Sequence, residues 1–226
     1  QDSSFAGNKT AQGNQDGNGI GDFYYTPPTG YLALCTDNLS DPSIANPTEY
    51  FSAVTWSGDG TSSRSITSGV DADWVWYKDR TGTESHSLYD SIRGAQKRLI
   101  SNSTDIERTR SGGLQSFDST GFTVGSDTEC NGSGKNYVGW TWKANTDGSI
   151  TSSVSANTDA GFSIVAWTGT GSNATVGHGL SQAPDLIINK SRDDAYNWAV
   201  QSILFNSASD TNLLYLNTTA AASDDT

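Results

Sequence analysis

The feature that most constrains this chain is that one stretch of it is written twice. The run FSAVTWSGDG at 51–60 returns as FSIVAWTGTG at 162–171, an offset of 111 residues. The run DWVWYKDR at 73–80 returns as DLIINKSR at 185–192, an offset of 112. Ser91 and Ile92 return as Ser202 and Ile203, and Leu99 with Asn102 returns as Leu214 with Asn217. Order is kept throughout and the offsets drift by only a few residues, so one folding module underlies both halves.

The module reads as β-structure. YFSAVTWSGDG alternates, with Val54 and Trp56 on one face and Phe51 and Ala53 on the other. DWVWYKDR is nearly continuous in apolar residues, the pattern of a strand covered on both sides. HSLYDSI, KRLIS, GFTVGS and YVGWTWKA follow as short runs between turn residues, and Val138, Trp140 and Trp142 share a face in the last. No stretch holds a 3.6-residue period over a useful length. With 34% hydrophobic residues and 24 glycines, the apolar content is carried by strand formers, and 7 Trp, 9 Tyr and 7 Phe supply a core. The expected fold is all-β, a tandem of antiparallel sandwich-like units.

The pattern divides the chain. Residues 1–22 are polar and rich in Gly and Asn, and FYYTPPTGYLALCTDNL at 23–39 reads as the closing strands of a preceding domain. Residues 40–49, with Pro42 and Pro47, read as a linker. The first repeat is expected at 50–145, a second linker at 146–160, and the second repeat at 161–226. The first copy closes with FDSTGFTV at 117–124 and YVGWTWK at 137–143, and equivalents of these would lie beyond Thr226. The second unit is therefore expected to lack its closing strands. The reading adopted is a piece of a longer polypeptide, with Gln1 not a natural start. Strands supplied by another chain are the alternative.

A formal net charge of −12 argues against a nucleic-acid or anionic-membrane partner, and no apolar run approaches a membrane span. Seven of the 13 basic residues fall between Lys78 and Arg110, but Asp79, Glu84, Asp90, Asp105 and Glu107 lie among them, so a mixed-charge face is expected. Cys35 and Cys130 are read as free, partly buried thiols, with pairing left open.

No motif carries chemistry. His86 and His178 occupy unmatched positions in the two copies, and neither cysteine has an obvious histidine partner. Glu49, Glu84, Glu107 and Glu129 are the only glutamates, and most aspartates sit in turn contexts, so no catalytic residue is assigned. Asp16, Asn18 and Asp22 partly imitate a Ca²⁺ loop, but Ile20 holds a ligand position, and an Asn/Gly turn is the better account. No metal or cofactor is expected. Trp56 and Trp167 recur at matched sites and read as core, as do Trp140 and Trp142, while Tyr196 and Trp198 lie after a turn and are the least committed. Sequons at Asn8, Asn38, Asn102, Asn131, Asn173, Asn189 and Asn217 follow from composition.

The runs DWVWYKDR, HSLYDSIRGAQKRLISN, GLQSFDSTGFTVGS and NGSGKNYVGWTWKA together resemble a repeat of marine phage (cyanophage-type) tail-fibre and virion structural proteins. The opening from FYYTPPTGYLALCTDNL resembles the end of a SPRY-like sandwich. The resemblance implies lectin-like or jelly-roll-like sandwiches and a non-enzymatic role at the virion surface. The implied function is attachment to a host-cell glycan or envelope receptor. The implied partners are other copies of the chain, with a trimer expected, and other virion proteins. A purely structural virion or filament component is the alternative, and a carbohydrate-active enzyme a more distant one. No ligand-binding residue can be named from the sequence.

Overall fold

Strand follows strand wherever the sequence alternates. The computed structural model describes residues 10–40, 42, 44–145, 153–203 and 212–224, and among them no α-helix occurs. The chain divides into two units, Gln1–Ala45 and Asn46–Thr226, and the boundary falls inside the linker expected at 40–49.

The first unit differs from expectation. Its described residues contain no strand, only an isolated bridge between Asn14 and Phe23 and a short 3-10 turn at Thr36–Asn38. Pro27, Pro28 and Gly30 interrupt the aromatic run, and Tyr31, Leu32, Leu34 and Leu39 are exposed. Backbone groups here turn to side chains instead of a ladder. One oxygen of Asp16 accepts the amides of Asn18 (2.9 Å) and Ile20 (3.0 Å). The other accepts the Ala33 amide and the Asn38 side-chain amide, both at 2.7 Å. The Ala33 bond leads the causes that hold this carboxyl at about 2, against the burial that opposes them. The residues that imitate a Ca²⁺ loop thus form an Asp-centred turn, its carboxylate occupied by N–H donors.

The second unit carries the repeat. In the first copy, β1 (Phe51–Ser57), β9 (Asn136–Trp142), β3 (Trp74–Asp79) and β4 (Ser87–Asp90) form an antiparallel sheet in that order. β2 (Arg64–Thr67), β8 (Gly121–Val124) and β7 (Leu114–Asp118) form a second, also antiparallel. Alternation sends Trp56, Val75, Tyr77, Tyr89 and Tyr137 inward from the first sheet, to meet Ile66, Leu114, Phe122 and Val124 from the second. The two layers close as a sandwich over one core. Trp56 is its centre: its ring stacks on Tyr137 at 5.4 Å and meets Phe122 edge-on at 5.7 Å, and its Nε1 donates to the Cys130 carbonyl at 2.9 Å. Glycine at 139 leaves room beneath it, since a Cβ there would lie 3.0 Å from the indole. β5 (Lys97–Arg98) and β6 (Arg108–Thr109) form a small separate ladder.

The second copy reproduces part of this. β12 (Leu186–Asn189) pairs with β13 (Ala199–Ser202). The β3–β4 pairs run from Trp74↔Asp90 to Tyr77↔Ser87, and those of β12–β13 from Leu186↔Ser202 to Asn189↔Ala199, every residue displaced by 112. Hydrogen bonds recur between equivalent residues, at 112 for all but Asn102 and Asn217, which are 115 apart. The Ser91 amide donates to the Asp73 carbonyl at 2.8 Å, and the Ile203 amide to the Asp185 carbonyl at 3.2 Å, so Ser91 answers to Ile203 and not to Ser202, the residue the sequence match gave it. The His86 amide donates to Asn102 Oδ1 at 3.0 Å, and the Trp198 amide to Asn217 Oδ1 at 2.9 Å. Lys78 Nζ reaches the carbonyls of Asp79 and Gly82, and Lys190 Nζ those of Ser191 and Asp194. β14 (Asn212–Tyr215) and β15 (Ser223–Asp224) extend the β12–β13 sheet.

One boundary is corrected. The stretch 146–160 was expected to be a linker, but β10 (Val154–Asn157) lies in it and pairs with β11 (Phe162–Val165). A run of Ser, Ala and Asn gives little apolar signal. The strand forms because β11 offers an edge and the Gly161 turn, at φ 65°, closes the hairpin.

Candidate functional site: the outer aromatic face of the first copy

The four-stranded sheet has a second face, and it is aromatic. Residues that alternate outward form cross-strand rows, Phe51–Trp142–Trp74 and Ala53–Trp140–Trp76–Leu88. Phe51 and Trp142 lie 4.8 Å apart between ring centres, Trp74 and Trp142 6.2 Å, and Trp76 and Trp140 6.1 Å. Trp140 and Trp142, expected in the core, are half-buried on this outer face. The sandwich interior takes the other parity, with Tyr137, Gly139 and Thr141 buried.

Residues of the second copy cover part of the face. Phe162 stacks on Trp142 at 6.0 Å and meets Trp74 at 5.7 Å. Trp198 is 3% exposed, packs with Leu88 and Leu99, and donates its Nε1 to the Ile100 carbonyl at 2.7 Å. Glu107 adds an ionic link. It takes Arg93 from its own copy at 3.1 Å, and Arg192 through both oxygens, at 2.9 and 3.0 Å. Burial raises the Glu107 carboxyl, but hydrogen bonds from Arg192 and Arg93 and their charges outweigh it, and the net shift is downward.

The basic stretch from Lys78 to Arg110 is largely neutralised in place. Arg93 also holds Asp90, Arg98 binds the buried Glu129 at 2.8 Å, and Arg110 holds Asp127 at 3.2 Å. Burial is the leading influence on Glu129 and keeps its carboxyl above the usual range despite these arginines. Lys135 pairs with the buried Asp79 at 3.0 Å.

The candidate chemical groups are dispersed. His86 Nδ1 accepts from Trp76 Nε1 at 2.9 Å, and burial lowers its pKa, with the Lys78 charge adding to the effect. His178 Nδ1 accepts the Leu180 amide at 3.1 Å. Cys35 and Cys130 are free thiols, and burial pushes Cys130 up to about 12. Glu49 takes the Asn46 side-chain amide, and Glu84 lies 3.7 Å from Lys135. Among the described residues no group of three or more His, Cys, Asp or Glu side chains could hold a metal ion, and no helix is long and apolar enough to cross a membrane. The side chains of Asn38, Asn102, Asn131 and Asn217 are tied into hydrogen bonds. Asn8 lies outside the described residues.

Two tryptophans depart from expectation. Trp167, matched to Trp56 and expected in a core, is 53% exposed against 8% for Trp56. Trp198, left uncommitted by the sequence, is the anchor between the copies. Its neighbour Tyr196 is 67% exposed.

Residues 46–226 match the family described as "Domain of unknown function (DUF7483)". The chain belongs to that family. The match begins at Asn46, where the second structural unit begins, and takes in both copies of the repeat. No curated protein and no solved structure matches the chain.

Proposed function

We propose that this chain is the β-repeat portion of a phage virion surface protein of the tail-fibre or adhesin kind. It is a non-catalytic module that meets a host-cell glycan or envelope receptor. The observation that carries this reading is the loop joining the strands of the shared hairpin. β3–β4 and β12–β13 have the same register, yet the connections differ, and the second presents Tyr196 with the exposed Asp193 and Asp194 beside it. A constant frame with a variable, exposed loop is the arrangement binding surfaces favour. An aromatic face flanked by carboxylates suits a sugar, whose C–H face stacks and whose hydroxyls donate. Repetition across copies would multiply a weak single-site affinity.

A glycan array tests this. Binding to a host-type glycan that falls at least roughly tenfold in Tyr196→Ala, with unchanged thermal unfolding, is the expected outcome. A second reading, a purely structural virion component, is favoured by the outer tryptophans, several of which pack against residues of the second copy. Silence across arrays and host cells, together with ordered assembly of the intact protein, would replace the first reading by the second.

A further inference from the structure

In the first copy, β9 lies between β1 and β3 and pairs with both. The second copy contains the equivalents of both flanking strands, β11 for β1 and β12 for β3. Among the described residues no strand lies between them. β11 pairs with β10 and β12 with β13.

Hydrogen-bond direction identifies which edges these pairings leave open. The Ala166 amide donates to the Ser153 carbonyl at 2.8 Å. Residues of one parity in a strand turn their backbone groups to one side, so even-numbered β11 residues face β10, while Ser163 and Val165 face away. In the first copy, the Gly58 amide donates to the Lys135 carbonyl at 2.7 Å, which makes Ser52 and Val54 the β1 residues that face β9. These are the equivalents of Ser163 and Val165 at the offset of 111. The Arg80 amide donates to the Asn136 carbonyl at 2.7 Å, so even-numbered β3 residues face β9. At the offset of 112 their equivalents are Leu186 and Ile188. The edges left over are on both sides the ones that β9 fills in the first copy.

Exposure agrees. Val75 and Tyr77 of β3 are fully buried, whereas their equivalents in β12 are not: Ile187 is 39% exposed and Asn189 half-buried. Trp167 is exposed where Trp56 is sealed over Gly139. Apolar side chains beside backbone edges that no described strand pairs make an acceptor for a strand.

We infer that β11 and β12 form a strand-accepting site whose occupant is one extended segment with the pattern of Asn136–Trp142, antiparallel to both. Its register follows from the first copy. The Trp142-like residue stands opposite Leu186, the Trp140-like residue opposite Ile188, and the Gly139-like residue opposite Asn189, with Trp167 closing over that glycine. The site ends at Arg192, whose carbonyl accepts the Glu107 amide at 2.9 Å. This inference rests on the internal repeat and is independent of the glycan reading.

The probe is a synthetic peptide of residues 136–143, NYVGWTWK, added to the full chain at up to about 1 mM, with amide exchange read residue by residue. Exchange at Leu186 and Ile188 is expected to slow roughly tenfold or more, and Trp167 emission to shift to the blue. A peptide N-methylated at the Val138 and Trp140 positions, whose amides face β12, should lose the effect. A peptide in which Gly139 is replaced by Val should bind at least roughly tenfold more weakly, because its side chain meets Trp167. No slowing at Leu186 and Ile188, or equal slowing by the N-methylated peptide, overturns the proposal. So does protection of the same amides by self-association alone, which would make a second copy the occupant.

Discussion

β3–β4 and β12–β13 align residue for residue, with the same cross-strand pairs and the same side-chain-to-backbone bonds, yet their surroundings diverge. Beside β3 lies β9, and opposite it a second sheet; beside β12, among the described residues, there is only β13. Tyr77 is therefore sealed, while its equivalent Asn189 is half-buried. Trp56 has three aromatic neighbours, while Trp167 stands in solvent. A hairpin can be specified by its own residues and its turn, but the burial of its faces depends on what else the chain brings to it.

The sharpest way to break this comparison is to truncate the matched tryptophans. Trp56→Ala should cost about 3–5 kcal/mol in urea unfolding, through the cavity and the Cys130 carbonyl left without a donor. Trp167→Ala should change stability by less than about 0.5 kcal/mol. Similar costs for the two would mean that the second site is as closed as the first.

Next in size is the contact between the copies. Trp198→Ala should destabilise by about 2–4 kcal/mol and orphan the Ile100 carbonyl. Limited proteolysis should then cut within the second copy before the first. Simultaneous cutting of both would show that they unfold together regardless of this anchor.

Glu107→Gln should cost about 1–3 kcal/mol at neutral pH, since Arg93 is buried and Arg192 loses its partner. The sign of the pH effect follows from the depressed carboxyl. Its contribution is present above the unfolded value, near 4.5, and is lost as pH falls through the lower folded value. Wild type and variant should therefore converge in thermal stability below about pH 4.5, and a constant gap down to pH 3 would count against the ion pair as its source.

The smallest expected effects sharpen the equivalence itself. Asn102→Ala and Asn217→Ala each remove the same bond to a backbone amide and should each cost about 1 kcal/mol. A silent Asn217→Ala would mean that the shared geometry carries no shared energy in the second copy.

Much of the fold was legible before any coordinates. Alternation in YFSAVTWSGDG put Val54 and Trp56 on one face and Phe51 and Ala53 on the other, and the strand divides the same way, with the first pair turned inward. The match of Asn102 to Asn217 falls on two residues that accept the same kind of backbone amide bond. What alternation could not decide was which face of β9 or β3 is the core. Both faces of β3 are apolar, one carrying Val75 and Tyr77 and the other Trp74 and Trp76, so either would satisfy a strand covered on both sides. The candidate site was hidden for the same reason. Its tryptophans read as interior, and nothing in the text told that Phe162 and Trp198 would meet them.

The sequence by itself determined the all-β class and the repetition. Those depend on residues close along the chain and on a two-residue period. Only the tertiary structure decided that Trp198 is an anchor and Trp167 is not, and that β10 adds to β11. These outcomes depend on which surfaces, far apart in the chain, are left over to bury one another. No local pattern encodes that choice, because one apolar face is as ready as another until a partner reaches it.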